Sequence, residues 1–193
     1  MASHIVLVRH GETEWSLSGR HTSETDLPLT EHGRTQAAAL GRSLVGRSFS
    51  LVMASPRRRA RETAALVLPE ARVVVRQELA EWNYGEYEGL TSEEIHAQNP
   101  SWDLWREGCP GGESPTDVAA RADLLLAFAD GHEGEAVCFA HAHILRVVAA
   151  RWIGLGPEAG GLFILDTATV SVLGYERRHR VVQHWNLPAA GSE

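Results

Sequence analysis

The sequence predicts an α/β protein: a largely parallel sheet with helices on both faces. Three observations carry that prediction. Short apolar runs alternate with segments whose apolar residues recur at helical spacing, the pattern of parallel strands joined by helices. Three of the runs end in polar residues, at His10, Ser55 and His141, as strands do where an open sheet gathers a ligand. The tail departs from this pattern. Its strand-like runs follow one another without a helix, which predicts an antiparallel edge.

In chain order, Ile5, Val6, Leu7 and Val8 form a buried strand that stops at Arg9-His10-Gly11. Residues 11–29 are polar and turn-rich and read as a loop. Thr30 caps a helix over 31–45, with Ala37, Leu40 and Leu44 on one face. A strand over 50–54 precedes Ser55-Pro56, which reads as an N-cap with proline in the first turn. The helix that follows carries Ala60, Thr63, Ala64 and Val67 inward. Val73–Val75 is a third strand, and residues 77–90 are irregular. Thr91 and Glu94 have the spacing of a capping box. A short segment over 102–106 leads to a glycine-rich loop, and Ser114-Pro115 repeats the cap-and-proline device before an amphipathic helix. Residues 136–140 form a strand closed by His141, and residues 143–153 a helix apolar nearly all round. Strand-like runs over 163–167, 169–175 and 181–185 complete the chain.

The 193 residues predict a single domain over 1–193. A formal net charge of −7 argues against a nucleic-acid or membrane partner, and an anionic substrate then needs a local cationic pocket. No secretory or membrane-spanning run is visible. Two cysteines, Cys109 and Cys138, make no disulfide framework. These features predict a cytoplasmic protein and leave a homodimer open. The pair His141 and His143 lacks a nearby cysteine or acid at familiar ligand spacing, so no metal and no cofactor is expected.

Arg9 supplies a planar fork suited to phosphate, His10 a ring nitrogen that can act as nucleophile, and Gly11 a tight turn. Four arginines, Arg57, Arg58, Arg59 and Arg61, crowd the start of a helix, where the dipole disfavours cations unless an anion compensates them. Glu81, Glu86 and Glu88 share an aromatic loop. A carboxylate desolvated by indoles suits a proton donor, and Glu86 and Glu88 read as ordinary surface acids.

Arg9-His10-Gly11-Glu12-Thr13, after an apolar strand, resembles the signature of the histidine phosphatase superfamily, the phosphoglycerate-mutase-like enzymes. Ser55-Pro56 with Arg59-Ala60 and Thr63-Ala64 resembles the second motif of that family. The resemblance implies a three-layer α/β/α sandwich around a mixed sheet, no metal, and a small phosphorylated metabolite as partner. It implies that His10 is the nucleophile, that Arg9, Arg59 and His141 bind the phosphoryl group, and that Glu81, shortly before Tyr84-Gly85, is the acid/base. Glycine usually follows the second histidine; here Ala142 does, and alanine tolerates left-handed backbone angles poorly.

Gly19-Arg20-His21-Thr22, the run from Thr25 to Thr30, and the run from Trp102 to Cys109 resemble the branch of sedoheptulose-bisphosphatase-type enzymes and mycobacterial acid phosphatases. That resemblance implies that Ser16, Thr22 and Ser23 line the phosphate pocket and that Arg106 and His143 contact the distal part of the substrate. For Arg106, a helix-end cation near the negative end of the macrodipole is an equal alternative. The function implied is hydrolysis of sugar or acid phosphates through a phosphohistidine. Phosphoglycerate mutase and a catalytically silent phospho-ligand module are the alternatives. The mutase is disfavoured by Trp82, which stands where mutases carry arginine, by Ser16, which stands where they carry asparagine, and by the lack of a basic insertion after Gly89.

Overall fold

The computed structural model describes residues 2–189. Six strands form one mixed sheet: β1 (Ala2–Arg9), β2 (Phe49–Ala54), β3 (Val73–Val75), β4 (Gly134–Ala140), β5 (Thr169–Glu176) and β6 (His179–Pro188), in the order β3-β2-β4-β1-β5-β6. The first four are mutually parallel, while β5 runs antiparallel to both β1 and β6. The antiparallel edge is therefore where the tail placed it. Among the described residues seven α-helices accompany the sheet, with three short 3-10 turns besides: α1 (Glu14–Leu17), α2 (Glu31–Ser43), α3 (Arg58–Val67), α4 (Ser92–Gln98), α5 (Leu104–Glu107), α6 (Pro115–Asp130) and α7 (Ala142–Trp152).

Strand alternation divides the core in two. Val6, Val8, Val52, Ala54, Val137 and Phe139 face α2 and α3, meeting Leu40, Leu44, Ala64 and Val67. Ile5, Leu7, Met53 and Cys138 face α6 and α7, meeting Val118, Leu125, Leu145 and Val148. Each fully buried aliphatic side chain contributes about 1.5–3 kcal/mol, and β1, buried on both faces from Ile5 to Val8, is the spine of the molecule. Thr30, Thr91 and Ser114 cap their helices as expected, the last two in capping boxes, and Pro115 occupies the first turn of α6.

Three local expectations are corrected. The loop over 11–29 contains α1, started by a capping box between Thr13 and Ser16. Ser55 does not cap α3: the N-cap is Arg57, with no side-chain cap, and the Ser55 hydroxyl, two residues before it, accepts from Arg57 N–H at 3.3 Å and meets His141 at 2.7 Å. Residues 163–167 are not a strand. Leu165 is buried there beside Ile164, which is 74% exposed, and its carbonyl is taken by Arg9. Pairing begins only at Thr169, after Ala168 has turned the chain at φ 52°.

Candidate active site

The parallel strands deliver their C-terminal ends to one edge. His10 N–H donates to Ala140 O at 3.0 Å and Ser55 N–H to Phe139 O at 2.9 Å, so β1, β2 and β4 stay in ladder for one residue beyond their ends. That register brings His10, Ser55 and His141 together.

His10 is 5% exposed. Its backbone is held from two sides: its carbonyl accepts from Ala168 N–H at 3.0 Å, and Gly11 N–H donates to Thr63 Oγ1 at 3.1 Å. Glycine is required at 11, since a Cβ there would lie 2.3 Å from the Gly33 carbonyl oxygen. The ring Nδ1 sits 2.7 Å from Gly11 O. A carbonyl only accepts, so Nδ1 carries the proton and Nε2 keeps its lone pair. Burial, then the charges of Arg59 and Arg9, hold the His10 pKa well below the usual imidazole range, so the ring is neutral at physiological pH.

Arg59 is almost sealed, 1% exposed. Its Nε donates to His141 Nδ1 at 3.1 Å, Nη1 to Thr25 O at 3.0 Å, and Nη2 to Thr22 O at 3.0 Å and Ser23 O at 3.4 Å. One guanidinium thus ties the 22–25 loop to the second histidine. His141 Nε2 lies 2.7 Å from Ser55 Oγ, and its ring meets that of His10 edge-on with centroids 5.1 Å apart. Burial, Arg59 and His10 lower its pKa well below the usual value. Arg9 Nη1 donates to Leu165 O at 2.5 Å, while its buried Nε has no protein partner. Burial also lowers the pKa of Arg9 and Arg59, against the opposing charge of Glu81.

Glu81 sits at the N-terminus of α7. Oε1 accepts from Trp82 N–H and Ile144 N–H, both at 2.9 Å, and Oε2 from His143 N–H at 3.0 Å. The groups that meet this carboxylate are therefore backbone donors, two of them at a helix start, where the sequence suggested indoles. Ala142, the first residue of α7, is not among the residues with positive φ, so the replacement of the usual glycine costs no backbone strain.

The remaining expected site residues divide. Thr22 and His143 line a cleft of about 190 Å³ that also reaches Glu81 and Tyr84. Ser23 is buried, and its hydroxyl donates to Glu88 at 2.7 Å. Ser16 is spent on its own turn, with Oγ bonded to Thr13 N–H at 2.8 Å and to Thr13 O at 3.0 Å. The Arg106 side chain is 82% exposed and pairs with Asp103 at 3.4 Å; the structure does not bring it to the cleft. Glu88, read as a surface acid, instead organises the loop. It accepts from Ser23 N–H, Ser23 Oγ and Thr25 N–H. Burial works to raise its pKa, and those hydrogen bonds outweigh it and lower it. Ser55 and Glu88 are the members of the site that sequence reasoning missed. Ser55 carried a signal in its place at a strand end, whereas Glu88 carried none.

A family model, the histidine phosphatase superfamily (branch 1), matches residues 5–188. The chain is 42% identical to an acid phosphatase of Mycobacterium tuberculosis, covering 89% of this chain and 86% of that one. It is 37% identical to sedoheptulose 1,7-bisphosphatase of Saccharomyces cerevisiae, covering 79% and 68%. A solved structure of an open reading frame from M. tuberculosis superposes with TM-score 0.92 at 39% identity, over 96% of this chain and 98% of that one.

Proposed function

The chain belongs to the histidine phosphatase superfamily, and on that footing we propose that it hydrolyses small phosphorylated metabolites, sugar or acid phosphates, through a phosphohistidine at His10. The observation that carries this reading is the tautomer of His10: Nδ1–H is fixed on Gly11 O, leaving an Nε2 lone pair beside Arg9, Arg59 and His141.

In the proposed reaction the phosphoryl oxygens take the unpartnered Nε–H of Arg9 and the positive charge of Arg59, and the neutral ring of His141 offers its Nε2–H. Neutral His10 Nε2 attacks phosphorus in line with the ester oxygen, forming an N–P bond as the P–O bond breaks. A phosphate monoester below about pH 6 carries one proton of its own. That proton passes to Glu81 and from there to the leaving oxygen. Glu81, again a carboxylate held by three N–H groups, then takes a proton from water, whose oxygen attacks phosphorus as the N–P bond breaks; neutral His10 is restored, and the proton on Glu81 leaves with the released phosphate. Positioning and charge stabilisation supply most of the acceleration.

Hydrolysis is favoured over phosphoglycerate mutase chemistry by Trp82, which is fully buried with its Nε1–H donated to Glu113 O where a mutase carries arginine. The reading treats residues 1–193 as one domain. It includes a cytoplasmic location, supported by two buried free thiols, Cys109 and Cys138. It also includes a homodimer, supported by Leu162 and Ile164, exposed on the segment that leads into edge-proximal β5.

Phosphate release from p-nitrophenyl phosphate tests the activity. The wild type is expected to turn over at mildly acidic pH and to yield an acid-labile phosphohistidine on quenching. His10→Ala is expected to lose more than about a thousandfold in kcat. Absence of wild-type hydrolysis from mildly acidic to neutral pH would defeat the proposal.

A further inference from the structure

The cleft at Glu81 continues into a second of about 210 Å³ between α4 and α5, and the two share His21, Ser92 and His143. His21 and His143 stack nearly parallel, with centroids 6.2 Å apart and planes 4° apart. Their ring atoms are committed differently. His21 Nδ1 lies 2.8 Å from Leu90 O, so Nδ1 bears the proton and Nε2 is an acceptor. His143 Nδ1 lies 2.5 Å from the Tyr84 hydroxyl. With the phenol donating in this pair, His143 Nε2 bears the ring proton. The cleft is thus offered one acceptor and one donor on parallel rings whose centroids are 6.2 Å apart, a gap that two hydroxyls side by side can bridge.

We propose that this pair recognises vicinal hydroxyls, so that the substrate's distal part is a neutral polyol or sugar rather than a second phosphate or a carboxylate. The inference rests on the phosphatase reading and goes beyond it by naming the leaving group. The charges agree. Arg20, the cation on the cleft wall, is engaged by Gly89 O at 2.6 Å and Glu94 at 3.2 Å. Asp103 lines the far end, where its carboxylate caps α5 through Trp105 N–H and neutralises Arg106, so no free cation is offered to an anion there. Burial first, then Arg146 for His143, lowers both imidazole pKa values, against the Leu90 hydrogen bond in His21, and keeps the rings neutral. Trp105 supplies a rigid wall: Arg146 lies over its ring at 4.4 Å and His143 meets it edge-on at 5.3 Å.

The test compares ribose 5-phosphate, n-pentyl phosphate and ribose 1,5-bisphosphate, with p-nitrophenyl phosphate as the hydroxyl-free reference. The wild type is expected to prefer ribose 5-phosphate to n-pentyl phosphate by tenfold or more in kcat/KM, since a site built for hydroxyls rejects the analogue lacking them. His21→Phe is expected to lower the ratio of ribose 5-phosphate to p-nitrophenyl phosphate turnover by about tenfold, and His21→Gln, which restores an acceptor, to recover most of it. Equal loss on both substrates in His21→Phe, no wild-type preference over n-pentyl phosphate, or a tenfold preference for the bisphosphate each overturns the inference. The wild-type comparison needs no variant to fold. Failure to hydrolyse p-nitrophenyl phosphate at all overturns the phosphatase reading instead.

Discussion

Arg59 Nε donates to His141 Nδ1 at 3.1 Å, and this one bond fixes the tautomer of the second histidine. With Nδ1 accepting, the ring proton sits on Nε2, which is aimed at Ser55 Oγ 2.7 Å away. Cation, imidazole and hydroxyl form a buried relay from α3 across β4 to the end of β2, with exposures of 1%, 1% and 0%. In a low-dielectric interior such a network is worth most when every member is satisfied.

Ser55→Ala removes the acceptor of that relay and leaves a buried ring N–H unpaired. The expected cost is about 1–3 kcal/mol of stability, read by urea unfolding, with kcat/KM on p-nitrophenyl phosphate falling about tenfold or more as His141 loses its fixed orientation. A variant with wild-type stability and turnover would show that Ser55 is incidental.

The histidine cluster sets a pH dependence of stability. His10, His21, His141 and His143 all have pKa values lowered in the fold, burial being the first cause in each. Unfolded imidazoles titrate near 6.5, so as pH falls below about 6.5 the unfolded chain takes up protons that the native one refuses. Stability is therefore complete above that value and is lost below it, by up to about 1.4 kcal/mol per pH unit for each histidine. Thermal unfolding between pH 7.5 and 5 is expected to show a falling Tm. Orthovanadate is expected to offset part of the fall, because an anion beside His141 favours its protonated form. A Tm that rises on acidification would contradict the assignment of neutral rings.

Much of this site was legible because it depends on strand ends. The apolar run into His10 and the run into His141 each specify a strand and a polar terminus, and parallel register does the rest. Thr91 and Ser114 were legible because capping is local. Ser55 was misread for the complementary reason. Ser55-Pro56 and Ser114-Pro115 look alike as dipeptides, yet the first hydroxyl adds a tertiary partner, His141, to its local one, and the second has local partners alone. The roles of Glu88 and Arg106 were likewise hidden. Whether a charged side chain meets a loop 65 residues away or open solvent is a matter of packing, which periodicity does not encode.

Ala142→Gly tests the one departure from the family's motif. Ala142 opens α7, and its backbone is not left-handed, so glycine there relieves nothing. It is expected to lower stability by about 0.5–1 kcal/mol through backbone entropy and to leave turnover no higher. A gain in kcat on substitution would mean that the alanine restricts the turn into the helix after His141.

Glu88→Ala and Arg106→Ala, taken together, separate the loop that shapes the phosphate site from a charge that only borders it. Glu88 gathers Ser23 and Thr25, and the carbonyls of Thr22, Ser23 and Thr25 receive the Arg59 guanidinium. Removing the carboxylate strips three donors of their acceptor at about 1.5–3 kcal/mol for a charged hydrogen bond. It also frees the loop that orients Arg59, so a rise in KM for every phosphate ester is expected alongside a fall in kcat. Arg106 makes a single ion pair at the surface, and such pairs contribute about 0–1 kcal/mol. Its variant is expected to stay within about twofold of wild type in kcat/KM and within about 0.5 kcal/mol in stability. The opposite ranking, with Arg106→Ala the more damaging, would place a substrate contact at the end of α5 that the present side-chain positions do not provide.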